Sequence, residues 1–328
     1  MNKIDFGVSL YGFTEHFIME DNYSFEQMFQ TVQQLGVHKV EIVGAQMFQN
    51  YPIPAPEEIR EIRNLAEKYE IEPFSYGGYV DFAKHYDYDM DDEERLEQVT
   101  FDLMTAHKLG CKLMRGFGIQ GRLYPRIAEI AERYGVAVCF EIHSPMLPSD
   151  PEVQDLLKTF DEIQSPWVGF VPDFGCYIER PNELQIEDYV KQGAKRELLE
   201  YIIQNRWSGC TEDEMQAKIK EMGGGVAEKA AVSNWFGSMT FRPADLDGFK
   251  SVLPHSKYFH GKFYHIGEDC VETTIPYAKL FDLIQASGFE GTIMTEFEGH
   301  MFSGSNAEEQ IARHLQMEKK LLGIYTEN

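Results

Sequence analysis

The sequence predicts a single α/β domain spanning residues 1–328, a (β/α)8 TIM barrel with a helical insertion after its sixth strand. Three observations predict it. Strand-like and helix-like segments alternate from one end of the chain to the other, as a parallel sheet with crossover helices requires. The strands number eight, the count at which such a sheet closes. No GxGxxG follows the first strand, and GFGIQG at 116–121 falls after the fourth with the wrong spacing for a dinucleotide fingerprint. An open doubly wound sheet is therefore the second choice.

The elements follow in order. IDFGVSL is short and apolar, and a helix near 23–35 separates it from KVEIVG. A helix near 56–69 leads to PFSYGG, a helix near 91–109 to CKLMRGFG, and a helix near 121–135 to VAVCFEI. A helix near 151–164 precedes VGFVPD. KYFHGKFY, a helix near 275–287, GTIMTEF and a helix near 306–323 complete the series. Gly36, Gly110, Gly135 and Gly288 each stand between a helical pattern and the next strand, where a helix stop is needed. The rhythm breaks once. Roughly ninety residues separate Asp173 from His260, where one helix and its loops need about thirty. The excess, 178–256, carries helical patterns near 185–204 and 211–222 together with Trp207, Trp235 and Phe236. As an extended loop after strand six it belongs on the catalytic rim, as a lid or an interface.

Composition excludes several classes of partner. A formal charge of −24 repels phosphate backbones and anionic headgroups, which argues against nucleic acid and membranes. No stretch approaches the roughly 20 apolar residues of a membrane span, and MNKIDFGVSLYGF lacks the layout of a signal peptide, so a cytoplasmic protein is expected. Five cysteines without a CxxC support neither a disulfide framework nor a cysteine zinc site.

Four strand-like runs each place a metal-capable residue at their end: VAVCFEIH Glu141, WVGFVPDF Asp173, KYFHGKF His260 and TIMTEFEGH Glu296. In a parallel barrel those ends share one rim. Three carboxylates and an imidazole suit Mn²⁺, Mg²⁺ or Co²⁺ better than a thiolate zinc site. His265, in HIGE, competes with His260 for the imidazole position. Such an ion would polarise a carbonyl and stabilise the enolate formed when a neighbouring C–H is deprotonated. His143, two residues beyond Glu141 on the same strand face, is the candidate base, with Glu141 and Glu296 as alternatives. Lys262 is placed to support charge on a substrate oxygen. Tyr11, Glu41, Tyr76, Arg115 and the pair Glu298 and His300 are further rim candidates that would contact a small polyhydroxylated substrate.

GVSLYGF (7–13), VEIVGAQ (40–46), FEIHSP (140–145), VPDFG (171–175), FHGKFY (259–264) and MTEFEGH (294–300) resemble the xylose-isomerase-like barrels of sugar phosphate isomerases and epimerases, over essentially the whole chain. GVSLYGF, EIHSP, HGKFY and EFEGH together are similar to the catalytic α subunits of bacterial C-glycoside deglycosidases, as is the insertion after strand six. This resemblance implies Mn²⁺ or a similar ion on Glu141, Asp173, His260 and Glu296, with His143 moving the proton. It also implies a small β subunit as partner and a lyase that cleaves the C–C bond of a 3-keto C-glycoside. A ketose or keto-inositol isomerase or 3-epimerase, built on the same chemistry, is the alternative. It fits less well, because no Arg follows His265 until Arg313.

Overall fold

A computed structural model describes residues 4–20, 23–81, 83–238, 241–301 and 306–324. Eight strands form one parallel sheet: β1 (Ile4–Ser9), β2 (Lys39–Val43), β3 (Glu72–Tyr79), β4 (Leu113–Phe117), β5 (Ala137–Ile142), β6 (Val168–Pro172), β7 (Phe259–Phe263) and β8 (Gly291–Phe297). The ladder runs β6-β5-β4-β3-β2-β1-β8-β7. Between β6 and β7 the circle is joined by two isolated parallel bridges, Phe170 to Ser256 and Asp173 to His260. Crossover helices over Phe25–Gln34, Pro56–Tyr69, Asp92–Leu109, Tyr124–Tyr134, Pro151–Ile163, Tyr277–Ala286 and Ala307–Leu321 wrap the outside. Gly36, Gly110, Gly135 and Gly288 all adopt positive φ, a left-handed backbone that ends a helix at little cost for glycine.

Among the described residues the insertion contains five α-helices. The pattern near 185–204 splits into Glu183–Lys191 and Arg196–Asn205 because Gly193, at φ +98°, turns the chain between them. Glu212–Glu221 matches expectation, while Val226–Ser233 and Leu246–Val252 were not anticipated. Trp235 is the buried anchor, edge-on to Tyr189 at 5.4 Å. Trp207 is partly exposed under the Arg206 guanidinium, 5.1 Å from its ring. Met239 and Thr240, within the insertion, lie outside the described residues.

Side chains alternate across each strand, and this separates two cores. Outward residues such as Phe140, Phe170 and Ile293 pack beneath the helices, with Phe160 at 4.8 Å from Phe170. Inward residues Cys139, Val171, Tyr258 and Met294 fill the barrel floor, with Phe74 and Leu113 packed against them. The next inward positions along those strands are Glu141, Asp173, His260 and Glu296. Each proposed ligand therefore stands two residues above a floor residue, on the same face.

One expectation fails on this alternation. Val40 pairs with Pro73 but Glu41 pairs with Ser75, so β3 carries one extra residue, a bulge at Phe74. Phe74 and Ser75 both face the interior, and the parity reverses above them. Tyr76, expected to contact substrate, is thereby turned outward, fully buried, with its hydroxyl 3.5 Å from Asp102 on the helix Asp92–Leu109.

Candidate metal centre

Glu141, Asp173, His260 and Glu296 are all buried, and one ligand atom from each lies within 4.8 Å of the other three. Glu141 Oε1, Asp173 Oδ2, His260 Nδ1 and Glu296 Oε2 make no hydrogen bond within the chain. Their contacts are ion pairs instead, His260 Nδ1 with Glu141 and Glu296 and Lys262 Nζ with Asp173 and Glu296, and four such donor atoms facing one point fit a cation held between them.

Glu41 supplies the orientation. His260 Nε2 lies 3.1 Å from Glu41 Oε1, while Nδ1 lies 3.0 Å from Glu141 and 3.3 Å from Glu296. Ser9, Ser75 and Tyr258 donate to the same Glu41 carboxylate at 3.1, 2.9 and 2.8 Å. With Nε2 directed to Glu41, Nδ1 is the nitrogen presented to the cluster, the carboxylate–histidine arrangement that orients metal ligands. Glu41 was expected on the rim; its burial beneath His260 makes it a positioning group instead.

The charges are unbalanced. Glu41, Glu141, Asp173, Glu296 and Glu298 surround Arg115 and Lys262. Arg115 reaches Glu141 at 2.8 Å; Lys262 reaches Asp173 at 2.8 Å, Glu298 at 2.7 Å and Glu296 at 3.3 Å. Burial disfavours every charge here, yet Glu296 and Glu41 hold the His260 imidazole well above its ordinary value. Burial likewise opposes ionisation of Glu141, but Arg115 and His260 outweigh it and keep the carboxyl well below the usual range. For Glu296 burial is overcome by His260 and Lys262. Asp173 goes the other way: its burial outweighs Lys262 and His143, and repulsion from Glu296 and Glu141 adds to the rise. Even with His260 protonated, five carboxylates face three positive groups, which a divalent cation would correct.

Above the cluster opens a cavity of about 240 Å³. Glu141 and Glu296 form its floor; His143, Arg115, Lys262, Tyr11 and Glu298 line it, as expected from sequence. Tyr11 donates to Glu298 at 3.0 Å. His300 is not among the lining residues but meets the Tyr11 ring edge-on at 5.7 Å. His265 lies outside the group of four, half-buried near Arg313, and it is His260 that stands beside the three carboxylates. Gln46, Tyr79 and Phe117 also line the cavity and were missed. Gly77 leaves room there for a reason: a Cβ would come within 2.8 Å of the Arg115 guanidinium. No residue of the insertion lines this cavity among the described residues.

A model of the xylose isomerase-like TIM barrel family matches residues 29–204. The chain belongs to that family. It is 26% identical over 335 residues to the 3'-dehydrocarminate deglycosidase alpha subunit of a Microbacterium species, covering 97% of this chain and 95% of the relative. It is 27% identical over 307 residues to the C-glycoside deglycosidase alpha subunit of Microbacterium trichothecenolyticum, covering 89% and 83%. A sugar phosphate isomerase/epimerase from Parabacteroides distasonis superposes with a TM-score of 0.59 at 13% identity, over 98% of both chains, which is a likeness of fold. No described helix is long and apolar enough to cross a membrane.

Proposed function

We propose that this protein is a divalent-metal-dependent lyase that cleaves the C–C glycosidic bond of a 3-keto C-glycoside, of the C-glucosyl flavonoid type. The observation that carries the reading is the set of four buried donor atoms within 4.8 Å of one another beneath a polar cavity that also holds a base of fixed orientation. Glu141, Asp173, His260 and Glu296 would hold Mn²⁺, Mg²⁺ or Co²⁺. When bound, the ion supplies Lewis-acid polarisation of the sugar ketone.

The residues of the chain do the rest. His143 Nδ1 lies 2.7 Å from the Ser144 carbonyl oxygen and donates to it, which leaves Nε2 as the basic nitrogen. Lys262 Nζ stands 2.9 Å from Nε2 and donates to it; when substrate enters, that ammonium turns to a sugar oxygen and frees the Nε2 lone pair. His143 takes the proton from C2, the carbon beside the 3-keto group. The electron pair left there forms a C1–C2 double bond, and the bond from C1 to the aglycone breaks. The aglycone carbon receives that pair and then the proton from His143. Atoms and electrons balance with no oxidant and no water. Arg115, Lys262, Tyr11 and Glu298 supply donors and acceptors for sugar hydroxyls. A small partner subunit is part of the proposal, supported by relatives named as alpha subunits.

The test is aglycone release from a 3-keto C-glucosyl flavonoid, followed by chromatography, with and without a small partner subunit. Release that stops with chelator and returns with Mn²⁺ supports the lyase, and His143→Ala should lower it by about 10²–10⁴-fold while metal content is kept. No release, with C3 inversion of free ketoses instead, assigns the protein to the isomerase and epimerase class.

A further inference from the structure

A second cavity, of about 580 Å³, opens beside the first and shares with it the wall formed by Phe117, Glu141 and His143. We infer that this second cavity is the leaving-group subsite, built for a flat aromatic aglycone. The inference rests on the lyase reading and deepens it. Volume is the first argument. The cavity above the carboxylates, at about 240 Å³, falls below the roughly 300–1,000 Å³ of pockets that hold drug-sized ligands, so it accepts a sugar ring without its aromatic substituent.

Chemistry is the second argument. The sugar cavity is lined by Arg115, Lys262, Glu298 and the Tyr11 hydroxyl. The second cavity has no Lys or Arg in its lining; Ile119, Phe140, Pro145 and Met146 form an apolar surface, while Gln120, Asp150 and Glu152 are polar groups that can meet phenol hydroxyls. Phe117 divides the two. It is 36% exposed, a large apolar area to leave in water at the end of a strand. Its ring stacks on Tyr79 at 5.8 Å and 14°, and meets His143 edge-on at 6.1 Å. Tyr79 and Phe117 thus make a continuous aromatic ledge from the sugar cavity into the second one, with an open face for a planar ligand.

Position is the third argument. His143 lines both cavities, so a bond joining a sugar in one to an aromatic carbon in the other passes beside its ring. A single base there can take the proton from C2 and return it to the departing carbon. The insertion fixes the outer wall: Arg242 donates to the Pro145 carbonyl at 2.6 Å, and Ser149 N–H donates to Asp245 at 3.0 Å.

The experiment is calorimetric titration of the Mn²⁺-loaded protein with a free hydroxyflavone, apigenin. Wild type should bind it saturably, and Met146→Trp, which fills the cavity, should weaken binding at least about tenfold. Met146→Lys, closer in size and half in water, should do the same by placing a charge against the ligand, and circular dichroism checks both folds. No binding by wild type, or equal binding by two folded variants, overturns the inference. Deuterium uptake at C2 of free 3-ketoglucose by wild type reads the sugar chemistry separately. Exchange without apigenin binding leaves the sugar reading standing and sinks the subsite. Apigenin binding that the Met146 variants weaken, without exchange, keeps the aromatic subsite while the lyase falls.

Discussion

Two buried clusters of histidine and carboxylate sit on opposite faces of the same strand, and burial resolves them in opposite ways. Glu296 of β8 points into the barrel, toward His260 and Lys262. Its neighbour Thr295 points outward, toward the helix Ala307–Leu321, where its hydroxyl lies 2.8 Å from Glu318 and 3.2 Å from His314 Nδ1. In the outward cluster burial wins. It pushes His314 well below its usual value and Glu318 well above, which favours the neutral form of each. Tyr277 donates to the Lys262 carbonyl at 2.8 Å, so His314 Nε2, 2.8 Å from the Tyr277 oxygen, carries the hydrogen. Thr295 donates its hydroxyl to Glu318, and His314 Nδ1 packs against the same hydroxyl oxygen. The ring of His314 is stacked on Phe263 at 4.0 Å. Neutral groups joined in a chain make a brace. In the inward cluster His260, Glu141 and Glu296 are held in their charged forms against burial, Asp173 alone being pushed up, and the four proposed ligands crowd their charged atoms together. That excess of buried negative charge costs stability unless a cation offsets it, and it is the excess of charge that distinguishes this cluster from the outward one.

Four measurements sharpen or break this contrast. Glu296→Ala should reduce Mn²⁺ affinity by more than the roughly 10–100-fold that loss of an outer partner costs. Calorimetry reads it directly, and unchanged affinity would make the inward cluster structural like its neighbour. Glu41→Gln removes the group that orients His260 and should weaken Mn²⁺ binding by about 10–100-fold, with the fold intact. Thr295→Val, one residue from Glu296, should leave Mn²⁺ affinity as it is and lower unfolding stability by about 1–3 kcal/mol, because His314 and Glu318 each lose a buried partner. Urea denaturation beside metal titration separates the two effects. The smallest effect is in pH. A Glu318 carboxyl raised by burial contributes stability that is full below its unfolded value of about 4.3 and is lost as pH rises. Between about pH 5 and 8, wild type should therefore lose Tm relative to Glu318→Gln. Parallel Tm curves would mean that Glu318 is ionised.

Much of the inward cluster was legible in sequence because each ligand follows an apolar strand residue at the spacing that selects one face. Cys139 and Glu141, Val171 and Asp173, Tyr258 and His260, and Met294 and Glu296 repeat the pattern on four strands. Tyr76 was misjudged because the bulge at Phe74 reverses parity, and a bulge appears when two strands are paired, not in the residues of one. Tyr79 and Phe117 carry no signal of their own in the sequence; their value comes from stacking on each other across β3 and β4. The outward cluster was invisible for a different reason. His314 and Glu318 lie four residues apart on a helix rich in charge, and a polar pair at that spacing normally faces water. The insertion was found by its length alone, since its five helices keep no strand rhythm by which to divide them.

The seam between β6 and β7 is the weak point of the ring, because two lone bridges stand there in place of a ladder. One of them joins Asp173 to His260, so two of the four proposed ligands lie on the two edges of the gap. An ion on those residues would act as a clasp, closing the hoop mechanically as well as serving chemistry. Loading with Mn²⁺ should then slow amide hydrogen exchange across Val168–Pro172 and Phe259–Phe263 more than in β4, where an unbroken ladder on each side already holds the sheet.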